Sequence, residues 1–351
     1  MTEVRHGLRG WGTEENPRNR FEKLSYERKD WNDDDPAPAT LFLKDATRSI
    51  ISSNDSPDVA FDASVNPYRG CEHGCVCCFA RPNHEQLDFS AGLDFETRIL
   101  IKQDAPELLR RELSLPKWRP EVIALSGATD PYQPIERRLE LTRRCLAVLA
   151  EFRNPGVIIT KNDLVRRDVD LLTEMTSWNG IVVFVSVTTL DLALAQKLEP
   201  RAAQPKRRLA AIETLSGAGI PVGVLVAPTI SGLTDHEMPS ILEASAKAGA
   251  RFAGYIPLRL PHGVGRLFES WLETHFPDRK DKVLHRIHSM RGGRMNDPNF
   301  NSRMRGQGPF VWQMRDLFDL GCRRAGLDRS KPHLSTEHFL GNVDKQQSLF
   351  V

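Results

Sequence analysis

Short apolar runs alternate with amphipathic stretches through the middle of the chain. The apolar runs read as strands over Ala63–Pro67, Glu121–Ser126, Gly156–Thr160, Ile181–Val187, Pro221–Ala227 and Arg251–Pro257. Between them, apolar positions recur at helical spacing over Pro106–Leu113, Glu136–Glu151, Val165–Ser177, Leu190–Lys197, Pro205–Ala218 and Glu237–Ala248. Gly219 and Gly249 stand just past two of these helices, where a left-handed residue closes the last turn. Strictly alternating strands and helices predict βα units around a parallel sheet. Six consecutive units predict an α/β fold built as a partial (β/α)6 TIM-like barrel, although a closed eightfold barrel or an open doubly wound sheet would share this periodicity.

The flanks carry a different pattern. Residues 1–60 have little periodicity and an acid–proline patch at Asp33–Pro38, which predicts an extended N-terminal arm rather than a domain. Residues 61–260 hold the barrel core. Residues 261–351 read as a helical C-terminal extension, with helices over Gly265–His275, Arg279–Met290 and Phe310–Ala325 and a flexible tail. Between the last two helices, Arg291–Gly308 is rich in Arg, Gly and Asn, which suits either a solvated connector or contact with phosphates.

Composition narrows the class without naming a chemistry. At 351 residues with 40% hydrophobic content, the chain buries a sizeable core, and its formal charge of +2 gives no global field for a polyanion. No run approaches eighteen apolar residues and no secretory signal opens the chain, so a soluble cytoplasmic protein without membrane contact is expected.

The chemistry concentrates in one loop after the first predicted strand, GCEHGCVCCFAR. Cys71, Cys75 and Cys78 are separated by three and two residues, a spacing that lets three thiolates hold three irons of a [4Fe-4S] cubane and leaves the fourth iron open. The same loop offers His73 and Cys77 to a zinc ion, which would make a non-catalytic, metal-stabilised binding module associated with DNA or a sliding clamp. Cys145 and Cys322 fall within helical patterns and read as small buried hydrophobes.

In a parallel barrel, ligands collect at the C-terminal strand ends. Those ends are polar here: Ser126–Glu136 after the second strand, Thr160–Lys161 after the third, Ser186–Asp191 after the fourth, and Tyr255–Arg259 at the sixth. Helix capping explains single hydroxyls among them, notably Thr188 or Thr189. Their repetition on one face predicts a ligand pocket. Asp130, Tyr132 and Glu136 in the second-strand loop are the candidates for substrate contact or proton handling.

The runs NPYRGCEHGCVCCFARPNHE, SGATDPYQPIE, ITKN, SVTTLD, LEPRAAQPKRRL and AGIPVGVLVAPTI together resemble the radical S-adenosylmethionine (SAM) superfamily, in the group similar to spore photoproduct lyase. The resemblance covers roughly residues 60–260. It implies a barrel of the radical SAM type, a [4Fe-4S] cluster on Cys71, Cys75 and Cys78, and SAM cleaved reductively to a 5′-deoxyadenosyl radical. It further implies SAM contacts from Ser126, Lys161 and Ser186, with Arg201 and Tyr255 as additional candidates. A reducing partner such as flavodoxin or ferredoxin follows, and nucleic acid becomes a candidate substrate.

Two departures stand out. Family members carry an aromatic residue before the third cysteine, where this chain has Cys77, so Phe79 is expected to supply the ring. Spore photoproduct lyase has a cysteine hydrogen-atom donor before the SAM-binding serine, where this chain has Leu125, which argues against the same repair route. Finally, Gln346–Phe350 reads QQSLF, similar to clamp-docking peptides, so Gln346, Leu349 and Phe350 are candidate contacts to a sliding clamp.

Overall fold

A computed structural model describes residues 10–13, 15–21, 39–59, 61–330 and 333–341. In chain order the strands are β1 (Leu41–Lys44), β2 (Ile51–Ser53), β3 (Ala63–Val65), β4 (Tyr68–Arg69), β5 (Arg98–Ile101), β6 (Ile123–Leu125), β7 (Gly156–Thr160), β8 (Ile181–Ser186), β9 (Val222–Thr229) and β10 (Phe252–Pro257). The six apolar runs correspond to β3 and β6 to β10. They lie in the order β10-β9-β8-β7-β6-β3 and are parallel throughout, with β2 added antiparallel at the β3 edge. Sheet order that follows chain order is what successive βα units winding in one direction produce, and this is a partial barrel of the expected type.

The core lies between the sheet and its outer helices. Val183, Val185, Val222 and Val224 are fully buried there, packed with Leu146 and Leu149 of helix Leu141–Phe152 and Ile212 of helix Pro205–Gly217. Gly219 and Gly249 take positive φ values of 79° and 99° where the two helices stop. Helix Pro309–Ala325 lies on helix Met238–Lys247, and a side chain at Gly321 would meet Leu242 Cδ1 at 2.6 Å, so glycine sets that close approach.

Three features depart from the expected pattern. The N-terminal arm supplies β1 and β2, and β1 joins β5 and β4 in a second, three-stranded sheet. Those strands are too short and too exposed to show a periodic signal. The helix expected over Glu136–Glu151 is broken into Glu136–Leu139 and Leu141–Phe152 at Glu140, whose φ is +52°. The Glu136 carboxylate turns back there and accepts from the Thr142 and Arg143 amides, serving the start of the second helix. The stretch expected as helix from Val165 begins as a tighter 3-10 segment, Asp163–Asp168.

The described part of the arm also crosses the cysteine loop. Gly12 donates its amide to Glu96, and a Cβ at Gly12 would lie 1.6 Å from the Gly74 carbonyl oxygen. Trp11 lies under the Arg201 guanidinium at 4.4 Å. Among the described residues, no helix is long and apolar enough to cross a membrane.

Candidate active site

The C-terminal ends of the parallel strands open onto a cavity of about 270 Å³. Cys71, Cys75 and Cys78 line it from the connection that leaves β3, just past the short β4, and Ser126, Asp130, Lys161 and Ser186 line it from the ends of β6, β7 and β8. The fold thus brings together residues spread over more than a hundred positions, as converging βα loops do. Backbone amides of Asp130 and His73 act to lower the Cys71 thiol pKa, and those of Ala80 and Arg81 to lower that of Cys78. Amide donors of this kind favour thiolate over thiol. Burial outweighs them and raises all the loop thiols, Cys77 to about 12.

Cys77 lines the cavity but also packs in an apolar cluster with Leu194 and Leu198. Cys145 sits in the core behind the sheet, away from the cavity. His73 is buried, with Nε2 3.1 Å from the Asn162 amide and Nδ1 3.5 Å from Asp130. Burial lowers its pKa. Both ring nitrogens therefore already face partners, which removes His73 as a ready zinc ligand. Among the described residues, no group of three or more His, Cys, Asp or Glu side chains converges to hold a single ion.

Asp130 is a brace at the cavity edge. Its carboxylate accepts from the Thr160 hydroxyl at 2.7 Å, the Lys161 amide at 2.6 Å and the Tyr132 amide at 2.9 Å. Tyr132 and Glu136, the other two candidates from this loop, do not reach the cavity. The Tyr132 hydroxyl donates to Asp168 at 3.0 Å, and Glu136 accepts from Tyr68 and Arg167. Burial, then Asp168, pushes the Tyr132 phenol far up. The loop turns both side chains under the sheet, where they anchor an ion network with Arg143 and Arg167.

Lys161 extends into the cavity wall with all three ammonium donors taken, by Glu199 at 2.6 Å, the Ala227 carbonyl at 2.7 Å and the Thr188 hydroxyl at 3.0 Å. Burial alone would raise the Glu199 carboxyl, but Arg208 and then Lys161 outweigh it and hold the group at about 2. A direct contact from Lys161 to a SAM carboxylate would have to displace one of these partners. Glu199 escaped the sequence reading because a single acid in a proline-flanked loop gives no pattern. Thr188 and Thr189 are not helix caps: Thr189 bonds Glu237, and Asp191 caps helix Leu192–Leu198.

Arg201 and Tyr255 lie outside the cavity lining. Arg201 reaches back to Glu72 at 3.0 Å and onto Trp11, holding the cysteine loop to the arm. Tyr255 pairs in register with Val226, on the helix-facing side of β9, and packs against Phe318 at 4.7 Å. Strand alternation decides this: Leu225 and Ala227, on either side of Val226, line the cavity, with Pro228 joining them at the strand end. The same alternation places Leu125 in the outer core, so a thiol at that position would face helices in this chain. Phe79 does border the cavity, half exposed at its mouth beside Arg259 and Met304. The candidate clamp contacts Gln346, Leu349 and Phe350 fall outside the described residues.

The cysteine loop after the first parallel strand, the partial barrel and the polar strand ends define one class. The model of the radical SAM superfamily matches residues 65–244, just over half of the chain, and the chain belongs to that superfamily. Membership implies SAM and an iron–sulfur cluster. The three loop thiols, with amide donors at two of them, fit such a group.

An uncharacterized protein of Mycobacterium tuberculosis is 39% identical over 220 residues, 62% of this chain and 65% of its own length. The match thus spans less than two thirds of that relative's length. An uncharacterized protein of Methanocaldococcus jannaschii is 28% identical over 214 residues, 61% of this chain and 76% of that one. In fold, the chain is similar to spore photoproduct lyase complexed with dinucleoside spore photoproduct, with a TM-score of 0.59 and 14% identity over 81% of this chain and 79% of the other. A variant of that lyase with bound AdoMet and dinucleoside spore photoproduct gives 0.56 and 14%, over 84% and 82%.

Proposed function

We propose that this protein is a radical SAM enzyme that holds a [4Fe-4S] cluster on Cys71, Cys75 and Cys78 and cleaves SAM reductively in the adjoining cavity. The observation that carries the reading is the shared cavity: three thiols of one loop face the ends of the next three strands across a single space. Three closely spaced thiols on one loop are a donor set that suits the irons of a cubane. When bound, the cluster and SAM supply an electron and a 5′-deoxyadenosyl radical.

The chain's own residues then bind and orient. Ser126 and Ser186 offer hydroxyls to the ribose and amino group of SAM, and Phe79 borders the ring side of the cavity. Asp130 fixes the β7 end through Thr160 and the Lys161 amide, while Tyr132 and Glu136 hold the loop from beneath. Lys161 and Glu199 keep the far wall charged and ordered. Arg201 acts on the cluster loop from behind and Tyr255 on the seat of the C-terminal helix, each as a structural support. The arm and the C-terminal extension serve as covers of the barrel core. A flavodoxin or ferredoxin delivers the electron, the setting is cytoplasmic, and the dinucleoside in the similar lyase makes nucleic acid the first substrate class to test.

Anaerobic reconstitution with iron and sulfide, followed by reduction with SAM, tests the reading. Formation of 5′-deoxyadenosine is expected. An intact cluster that yields none overturns it, and a colourless zinc protein would favour the binding-module alternative.

A further inference from the structure

Among the described residues, one cation at the cavity has no anion. Arg259 follows the end of β10 and lines the mouth together with Phe79 and Met304. Its Nη1 donates to the Met304 sulfur at 3.1 Å, a weak acceptor, and its Nε is buried without a hydrogen-bond partner. The guanidinium lies 5.6 Å from the Phe79 ring centre. Among the described residues no carboxylate comes within ion-pair distance of it. Comparable guanidiniums elsewhere are met inside the protein: Arg81 by Glu96, Arg208 by Glu199, Arg303 by Asp58, and Arg291 by the Leu258 and Arg303 carbonyls.

The setting makes an unanswered charge costly. Val59, Phe61, Phe79 and Met304 give the mouth an apolar lining. Burial and the nearby Arg303 both work against the Arg259 charge, and Asp58, already held by Arg303, offsets them only in part. A half-buried cation with an orphaned donor, set among apolar side chains on an open cavity, is stabilised best by an anion arriving from outside.

We infer that Arg259 is the substrate-side oxyanion receptor of this cavity, taking a carboxylate or phosphate group of the substrate. The exposed face of Phe79, which is 50% accessible, packs on the apolar or planar body beside that group. The inference rests on the proposed radical SAM reading for which ligand is substrate, but anion binding itself needs no turnover.

The test uses the full-length reconstituted protein with SAM present. Phenyl phosphate and benzoate are compared with uncharged phenol by calorimetry and ligand-observed NMR. At least one anion is expected to bind about tenfold or more tightly than phenol, with Arg259→Gln removing that preference. Which anion wins tells phosphate from carboxylate. Anions bound no better than phenol by the wild-type protein overturn the inference, whatever the variant's folding. So does a folded Arg259→Gln protein that keeps the preference, or one that loses SAM affinity instead, which would assign the guanidinium to SAM. Absence of 5′-deoxyadenosine with the anion preference intact would sink the radical reading alone. A missing preference with 5′-deoxyadenosine formed would sink only this inference.

Discussion

Arg81 and Glu96 form an ion pair with both side chains fully shielded from solvent, directly behind the cysteine loop. Arg81 donates through Nε and Nη2 to the Cys75 carbonyl and through Nη1 to the Ala91 and Gly92 carbonyls. Glu96 accepts from the Gly12 amide and the Thr13 hydroxyl as well. One pair of side chains therefore ties together the cluster loop, the segment before β5 and the N-terminal arm. Every donor around the two charges has an acceptor, which is the condition under which a buried pair persists.

Breaking that pair is expected to cost more than any surface charge. Arg81→Met leaves Glu96 buried with no cation, a loss of about 3–5 kcal/mol. It also frees the Cys75 carbonyl. Urea unfolding should show the stability loss, and the reconstituted variant should release iron to a chelator faster than the wild type. A variant with the wild-type midpoint and release rate would show that the clasp is not what holds the loop.

The cysteines should separate sharply by position. Alanine at Cys71, Cys75 or Cys78 is expected to abolish iron and sulfide retention and the visible absorption that goes with them, because each removes one thiolate of a three-thiolate set. Alanine at Cys77 should retain them: this thiol is packed against Leu194 and Leu198, and burial holds its pKa up at about 12. Alanine at Cys145, behind the sheet, should retain them too. Loss of iron from the Cys77 variant alone would redraw the ligand set.

Much of this was legible before the fold was known, for identifiable reasons. Buried parallel strands leave continuous apolar runs, so β7 and β8 could be bounded to within a residue from the sequence. Three clustered cysteines are visible at any resolution of reasoning. Side-chain direction was not. Tyr255 looks like a pocket residue because it sits at a polar strand end, and Leu125 draws attention because the resembled lyase has a cysteine there; only the register with β9 and the outer packing turn them toward helices. Glu136 looks like a catalytic acid, yet it serves a helix start created by the left-handed Glu140. Partners brought together from distant segments, such as Glu199 with Lys161 or Arg259 with Phe79, leave no local pattern at all.

Glu199 ties acid stability to the cavity wall, and the sign can be worked out. Its carboxyl is held at about 2, below an ordinary 4.5, because Arg208 and Lys161 outweigh the effect of burial. A carboxyl depressed in the folded state contributes stability that is fully present above its unfolded pKa and is lost as pH falls through the folded value. The window therefore runs from about pH 4.5 down to about 2. Glu199→Gln leaves two cations facing a neutral amide, so at neutral pH it should be less stable by about 3–5 kcal/mol. Its deficit should then shrink as pH falls through that window, since the wild type loses by protonation what the variant already lacks. Denaturant unfolding of the iron-free proteins across the range, which keeps acid loss of a cluster out of the measurement, checks this. Two parallel stability curves would mean that the Lys161–Glu199–Arg208 contacts do not set the acid limb.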